Sequence, residues 1–534
     1  MKPSSFRGAF SLGDINGFFG LMFDNLTVLS FLAGILVYGF GFPADIVFTR
    51  MFPGTALGVL FGDLVYSWMA LRLARRTGRR DVTAMPLGLD TPSTIGIALT
   101  ILGPAFVSMK NAGLPAHDAA VVAWQVGTAS MIVIGIVKLG LSFAGGWVRR
   151  AVPQAGLLGS LAGIGLALIG AVPLIDIFGM PVVGLIALGI VLATLAAGIR
   201  LPGNVPGVFA AVVIGSVLYY TLGPAGLTGG GVFSWPSADF RGGLPLPTLG
   251  FIDGFVPALK YLPLAVPFAV LTVAGGINTT ESARAAGDEY RTRDILLTEA
   301  LTTLLAGFTG GVAQTTPYIG HPAYKRMGAR AGYTILTGLF IGVGGMVGAV
   351  SFFVELIPRA ALAPILVFVA LDIMTQAYAV CPRRHAWAVG FAFFPSVMRL
   401  LAIKLGDTAY VAQETFQRLL NLPGKALPEL LTVVALGNGF ILTAMLWGAF
   451  LAETIERRLH MSALYLLVLA VFSLFGIVHS SSPDGGMYLP WTLEGLARSV
   501  PYQWATAYAA LAALFLLLSF TRGVVPRPHE HIGG

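Results

Sequence analysis

Residues 310–324, GGVAQTTPYIGHPAY, set hydroxyls, an amide, a phenol and an imidazole into a chain that is otherwise strongly apolar. Gly310 and Gly311 end an apolar run, and Val312 to Thr315 reads as a short extended piece. Thr316-Pro317 then has the pattern of a helix start, with Thr at the N-cap and Pro at N1. The residue before a proline is pushed toward extended backbone, which agrees with strand before and helix after. The same signature stands upstream in TAMPLGLDTPSTIG, residues 83–96, where Thr91-Pro92 follows the extended-looking stretch 83–88. A helix that begins inside a membrane presents unpaired N–H groups and a partial positive charge. Two such starts meeting near the midplane would hold a carboxylate, an inorganic anion or the acceptors of a heterocycle. The candidate wall is Asp90, Thr91, Ser93 and Thr94 from one side and Gln314, Thr316, Tyr318 and His321 from the other. Capping of the two helices is the alternative role for the same residues.

Two further polar patches lie in apolar surroundings. In INTTESARAAG, residues 277–287, Asn278 and Glu281 or Ser282 lie one helical turn apart, so they share a face. An intramembrane carboxylate is costly and by default functional, so Glu281 reads as a proton carrier or substrate ligand. If the helix ends near Arg284, Glu281 pairs instead with Arg284 or Arg291. FDNLT, residues 23–27, is placed symmetrically in the first half; Asp24 and Asn25 face the same cavity, or Asp24 only bonds a neighbouring helix. The expected coupling groups are therefore Glu281 and Asp24. Asp63, Glu299, Asp372 and Asn438 also fall in apolar stretches and read as interhelical pairs. One histidine near the site and a single Cys381 supply no metal cluster, and no cofactor is expected. No HExxH or nucleophile elbow occurs, so the expectation is a non-enzyme.

The elements that must position these groups are membrane helices. Of 534 residues 56% are hydrophobic and only 11% charged, which excludes a soluble fold and predicts an all-α polytopic membrane protein. Met1 to Asp14 lacks a small-residue cleavage site and runs into a full-length apolar segment, so no removable signal peptide is read. Seven segments fall near 15–38, 45–74, 83–108, 118–142, 152–173, 179–198 and 205–222. Seven more fall near 254–283, 294–309, 312–327, 331–354, 361–379, 386–403 and 428–452. Two extra apolar runs follow, at 462–480 and 503–520, and a surface helix is read within 406–425. Most of the 33 Lys and Arg fall in alternate loops, which puts both termini on the cytoplasmic side of a cell (inner) membrane and explains the net charge of +8 without nucleic acid. An odd number of segments per half makes the second half run opposite to the first. The predicted organisation is a first inverted repeat at 1–222, a loop at 223–253, a second repeat at 254–452 and extra C-terminal helices at 453–534.

Seven plus seven segments, broken at the third and tenth, resemble the nucleobase-cation symporter-2 group, also called nucleobase-ascorbate transporters; sulphate permeases and bicarbonate exchangers share that fold. ALTTLLAGFTGGVAQTTPYIG is similar to the family's ninth-to-tenth segment, GARAGYTILTG to the stretch that follows, and INTTE to its eighth-segment motif. Asn278 stands where the family usually carries a substrate-gripping carboxylate, and Ile319 or Gly320 where the tenth segment carries a carboxylate or amide. Asp24-Asn25 aligns with its first-segment Gln-His pair. The resemblance implies a core of segments 1–4 and 8–11, a gate of segments 5–7 and 12–14, and a homodimer through the gate. It implies uptake of a nucleobase or related heterocycle with a proton or cation, by alternating access. An anion transporter of the sulphate or bicarbonate kind is the alternative. Substrate contact is expected from Asp90, Thr91, Ser93, Asn278, Thr279, Glu281, Thr316, Tyr318, His321 and Asn25.

Overall fold

The computed structural model describes residues 10–151, 153–228, 233, 235–237, 239–318, 320–406, 415, 429–482, 485–494 and 498–520. Among them, ten helices are long and apolar enough to cross a membrane, or twelve when two bent pairs are each taken as one span. The chain is a multi-pass membrane protein. In the first half α1 is Gly13–Gly39, α2 Ala44–Thr77, α3 Thr91–Asn111, α4 Ala116–Ala144, α5 Gln154–Gly179, α6 Pro181–Ala196 and α7 Gly207–Ala225. The second half repeats the order: α8 Gly250–Ala285, α9 Thr292–Phe308, the short α10 His321–Arg326, then α11, Gly332–Val347 continued by Ala349–Leu356. It closes with α12 Arg359–Val380, α13 Arg383–Leu405 and α14, Glu429–Gly437 continued by Phe440–Ile455. Beyond the repeats, α15 Leu459–Leu474 and α16 Val500–Phe520 pack on each other.

Two spans that read as straight in sequence are bent: α11 by 93° and α14 by 82°. The breaks fall at Gly348 and Gly439, whose φ of +84° and +67° a side chain would resist. The surface helix read within 406–425 lies almost wholly outside the described residues.

At the centre two three-residue strands, β1 Leu87–Leu89 and β2 Thr315–Pro317, pair antiparallel with Gly88 opposite Thr316. One strand comes from the third segment of each repeat, so the ribbon lies where an inverted repeat brings equivalent positions together. Backbone bonds extend the ladder at both ends: the Asp90 amide donates to Gln314 O at 2.9 Å, and the Tyr318 amide to Pro86 O at 2.8 Å. In the apolar interior these bonds satisfy extended backbone that would otherwise be left unpaired.

The helix starts differ from the expectation on both sides. Asp90, not Thr91, is the N-cap of α3, and its Oδ2 accepts the Ser93 amide at 2.9 Å. A carboxylate next to the cap position competes for the same donors and fits the helix's positive end better than a hydroxyl. In the second repeat Thr316 and Pro317 are strand residues, and the helix begins only at His321-Pro322 and lasts six residues. Pairing with β1 holds this backbone extended where the Thr-Pro signal alone would start a helix.

Candidate functional site

A cavity of about 120 Å³ opens where the start of α3, the β-ribbon, α8 and α12 meet. Asp90 and Thr91 come from α3 and its cap, Asn278 and Thr279 from α8, and Thr316 and Tyr318 from β2 and its end. These are six of the ten residues expected to contact substrate, and the structure brings them to one place. Leu158, Leu161, Phe268, Leu271 and Val369 make the rest of the wall largely apolar. Thr279 lines the cavity and donates to Gly275 O at 2.9 Å, one turn back on its own helix.

The other four residues have different partners. Glu281 is half exposed and holds Arg284 at 2.9 Å, so the helix end claims it and it does not reach the cavity. His321 is buried, with Nε2 at 3.2 Å from Thr83 O and 3.4 Å from Asp288 Oδ2. It fastens α10 to the loop between α2 and β1. Asn25 is fully buried; its Oδ1 accepts the Leu89 amide at 2.9 Å and its Nδ2 donates to Leu21 O at 2.8 Å. It serves the unpaired edge of β1 rather than a ligand. Ser93 is buried behind Asp90, with its hydroxyl 3.3 Å from Asp90 O. Asp24 packs beside Gly88 of β1 and is outside the cavity wall.

Three groups have a place at the site that the sequence reading did not give them. Asp372, read as an interhelical pair, lines the far wall from α12 and accepts Gln376 Nε2 at 2.6 Å. Glu299, read the same way, is paired as expected, but the pair stands directly behind the ribbon. Its partner is Lys138 of α4, fully buried, with Nζ 2.7 Å from Glu299 Oε1. The same ammonium donates to Gln314 Oε1 at 2.9 Å, Thr315 O at 3.0 Å and Thr303 Oγ1 at 3.2 Å. A buried ion pair repays its desolvation only with such additional bonds. The sequence signal was present: a lone lysine in MIVIGIVKLGLSF has to find a counter-charge inside the membrane. Gly276 of α8 makes room for the pair, since a Cβ there would lie 2.8 Å from Glu299 Oε2. Thr316, which lines the cavity, neighbours the same carboxylate.

Toward one end of the bundle a second charge cluster closes the loops. Asp288, between α8 and α9, is buried and meets Lys325 Nζ at 2.6 Å, Arg79 Nη2 at 3.3 Å and the Thr83 amide at 3.1 Å. Burial alone would raise its carboxyl; the hydrogen bonds from His321, Lys325 and Thr83, with the Lys325 charge, outweigh that and hold it below the ordinary carboxylate range.

The transmembrane domain of the cyanobacterial bicarbonate transporter BicA aligns over 76% of this chain and 98% of its own, at 14% identity and TM-score 0.50. The fold is shared. SLC26A9 aligns over 76% of this chain and 66% of its own, at 12% identity and TM-score 0.52. The inward-facing murine anion transporter Slc26a9 aligns over 78% and 68%, at 13% identity and TM-score 0.51. No protein-family model matches the chain, and no curated protein matches its sequence. The resemblance to nucleobase transporters is corrected by these neighbours, which are named as bicarbonate and anion transporters. The motifs that carried it are explained by the frame: Thr315 to Pro317 form the ribbon, and the glycine turn before them ends α9. Such residues report how the chain folds rather than what it carries.

Proposed function

We propose that this chain is a secondary-active transporter of a small inorganic anion, with no enzymatic step. The observation that carries the reading is the fold held in common with BicA and Slc26a9, with a cavity at the ribbon where the two repeats meet. The chemistry of the wall supports it. Thr91, Thr316, Asn278 and Tyr318 bring neutral hydroxyl and amide groups to the wall, and Lys138, paired with Glu299, stands one layer behind. Neutral donors in an apolar cavity replace the hydration of a small anion without fixing it permanently.

On this reading the chain divides at 1–222 and 254–452 into two inverted repeats, with 223–253 joining them and 453–534 beyond. Helices α1–α4 and α8–α11 carry the ribbon as the core, α5–α7 and α12–α14 form the gate, and motion of one against the other exposes the cavity alternately. The membrane is the cell's inner membrane and both termini face the cytoplasm, as the basic loops favour.

The test is uptake of radiolabelled bicarbonate, chloride and sulfate into proteoliposomes holding the purified full chain. Saturable entry of at least one, lost when Thr316→Phe fills the cavity, is the expected result. Failure of all three to enter above protein-free vesicles defeats the reading.

A further inference from the structure

Three carboxylates stand at or just behind the cavity, Asp90, Asp372 and Glu299, against the single ammonium of Lys138. With all four ionised the surroundings of the site are net negative, which an anion would not enter readily. Glu299 differs from the other two in its placement. It is not among the residues lining the cavity, as Thr316 is, and its charge is what neutralises Lys138.

We propose that Glu299 is the proton acceptor of an anion–proton symport, loaded from the cavity through the hydroxyl of Thr316. The proposal rests on the anion reading above, and it moves the coupling role from Glu281 and Asp24 to the α4–α9 pair. A hydronium ion entering the cavity gives its proton to Thr316 Oγ1 as the hydroxyl's own proton passes to a carboxylate oxygen of Glu299, and a neutral water is left behind. One O–H bond forms at Glu299, and Thr316 ends as it began. Neutral Glu299 leaves the Lys138 ammonium, still held by Gln314, Thr315 and Thr303, without its counter-charge. The anion in the cavity then supplies that charge, and release reverses both steps. Proton and anion therefore raise each other's affinity by the same factor.

The other ionisable groups around Glu299 are few. Asp90, from the cap of α3, acts on both members of the pair. From α2, Tyr66 donates to Ile295 O at 3.0 Å and feels the charges of both Glu299 and Asp63. From α8 the neighbour is Gly276, which brings backbone only, and β2 contributes Thr315 and Thr316. Asp372 stands across the cavity on α12.

The experiment uses the full chain in proteoliposomes, with chloride or sulfate as probe because neither titrates over the range studied, and a pH dye sealed inside. A gradient of the anion should carry protons inward with it. Apparent anion affinity should weaken at least about fivefold from about pH 5 to about pH 8. Glu299→Gln, a permanent mimic of the protonated side chain, should keep the acid-side affinity throughout, flatten the pH profile and abolish proton entry. Anion entry without proton movement in the unaltered protein overturns the proposal while leaving the anion reading intact. So does a folded Glu299→Gln protein that keeps the pH slope. If the variant does not fold, the proton flux of the unaltered chain still decides. If no anion enters at all, the parent reading falls and this one with it.

Discussion

The backbone amide of Asp90 donates to the carbonyl of Gln314 at 2.9 Å, joining the helix cap of one repeat to the strand of the other. The Asp90 side chain caps α3 and the Gln314 side chain accepts from Lys138, so this bond links the cavity wall to the buried ion pair. The two repeats therefore meet as one connected piece at the site.

Replacing Asp90 by Ala removes the cap and should cost about 1 kcal/mol of stability. The melting temperature in detergent is the readout. Ser at the same position should recover most of the loss, because it can still accept the Ser93 amide; a melting temperature unchanged by Ala would contradict the cap.

Gly276→Ala should be more damaging than its size suggests. The added carbon would sit 2.8 Å from Glu299 Oε2 and 2.7 Å from Leu296 Cδ2, so the pair or the helix has to shift. A loss of roughly 1–3 kcal/mol is expected, with reduced transport at equal protein level. Gly275→Ala, with no atom within 4 Å of its added carbon, is the internal control for stability.

Glu281→Gln should leave anion uptake and stability nearly unchanged, within about 0.5 kcal/mol, because the Glu281–Arg284 pair is half exposed and bridges a helix end. A large loss of uptake with normal folding would return Glu281 to the transport path.

Asp288 gives a pH test of the loop cluster. Its carboxyl is held below the ordinary value in the folded chain, so its contribution is fully present above about pH 4 and is lost as the pH falls through the folded value. Asp288→Asn should lower stability at neutral pH by roughly 2 kcal/mol, the scale of hydrogen bonds to a charged group. It should also blunt the fall of the melting temperature on acidification. An acid limb as steep as that of the unaltered chain would show that other carboxylates govern it.

Much of this frame was legible because its signals are local. Apolar run length marked the helices, and Pro92 and Gly310 marked breaks on either side of the ribbon. The inverted order followed from an odd segment count. What stayed hidden was tertiary. Nothing near Thr316 in sequence says that β1 holds it extended, and nothing near His321 says that Asp288 and Thr83 claim its ring. Glu281 looked like a membrane carboxylate because the end of α8 was uncertain by about one turn. Lys138 and Glu299 were each visible as costly residues in apolar runs, yet their pairing depends on α4 lying against α9. Cargo was the least legible, since the motifs near the site serve backbone geometry.

The antiparallel ribbon also bears on how the protein is made. β1 and β2 are about 230 residues apart, so at roughly 5–20 residues per second the ribosome delivers the second strand some tens of seconds after the first. For that interval Leu87 to Leu89 have no strand partner, and the edge of β1 that β2 will cover is unsheltered. The third segment cannot take its final place in the lipid until its counterpart arrives. The first repeat has to wait, loosely inserted or held by the insertion machinery, and a ribosome stall between the repeats would expose an unfinished site to quality control.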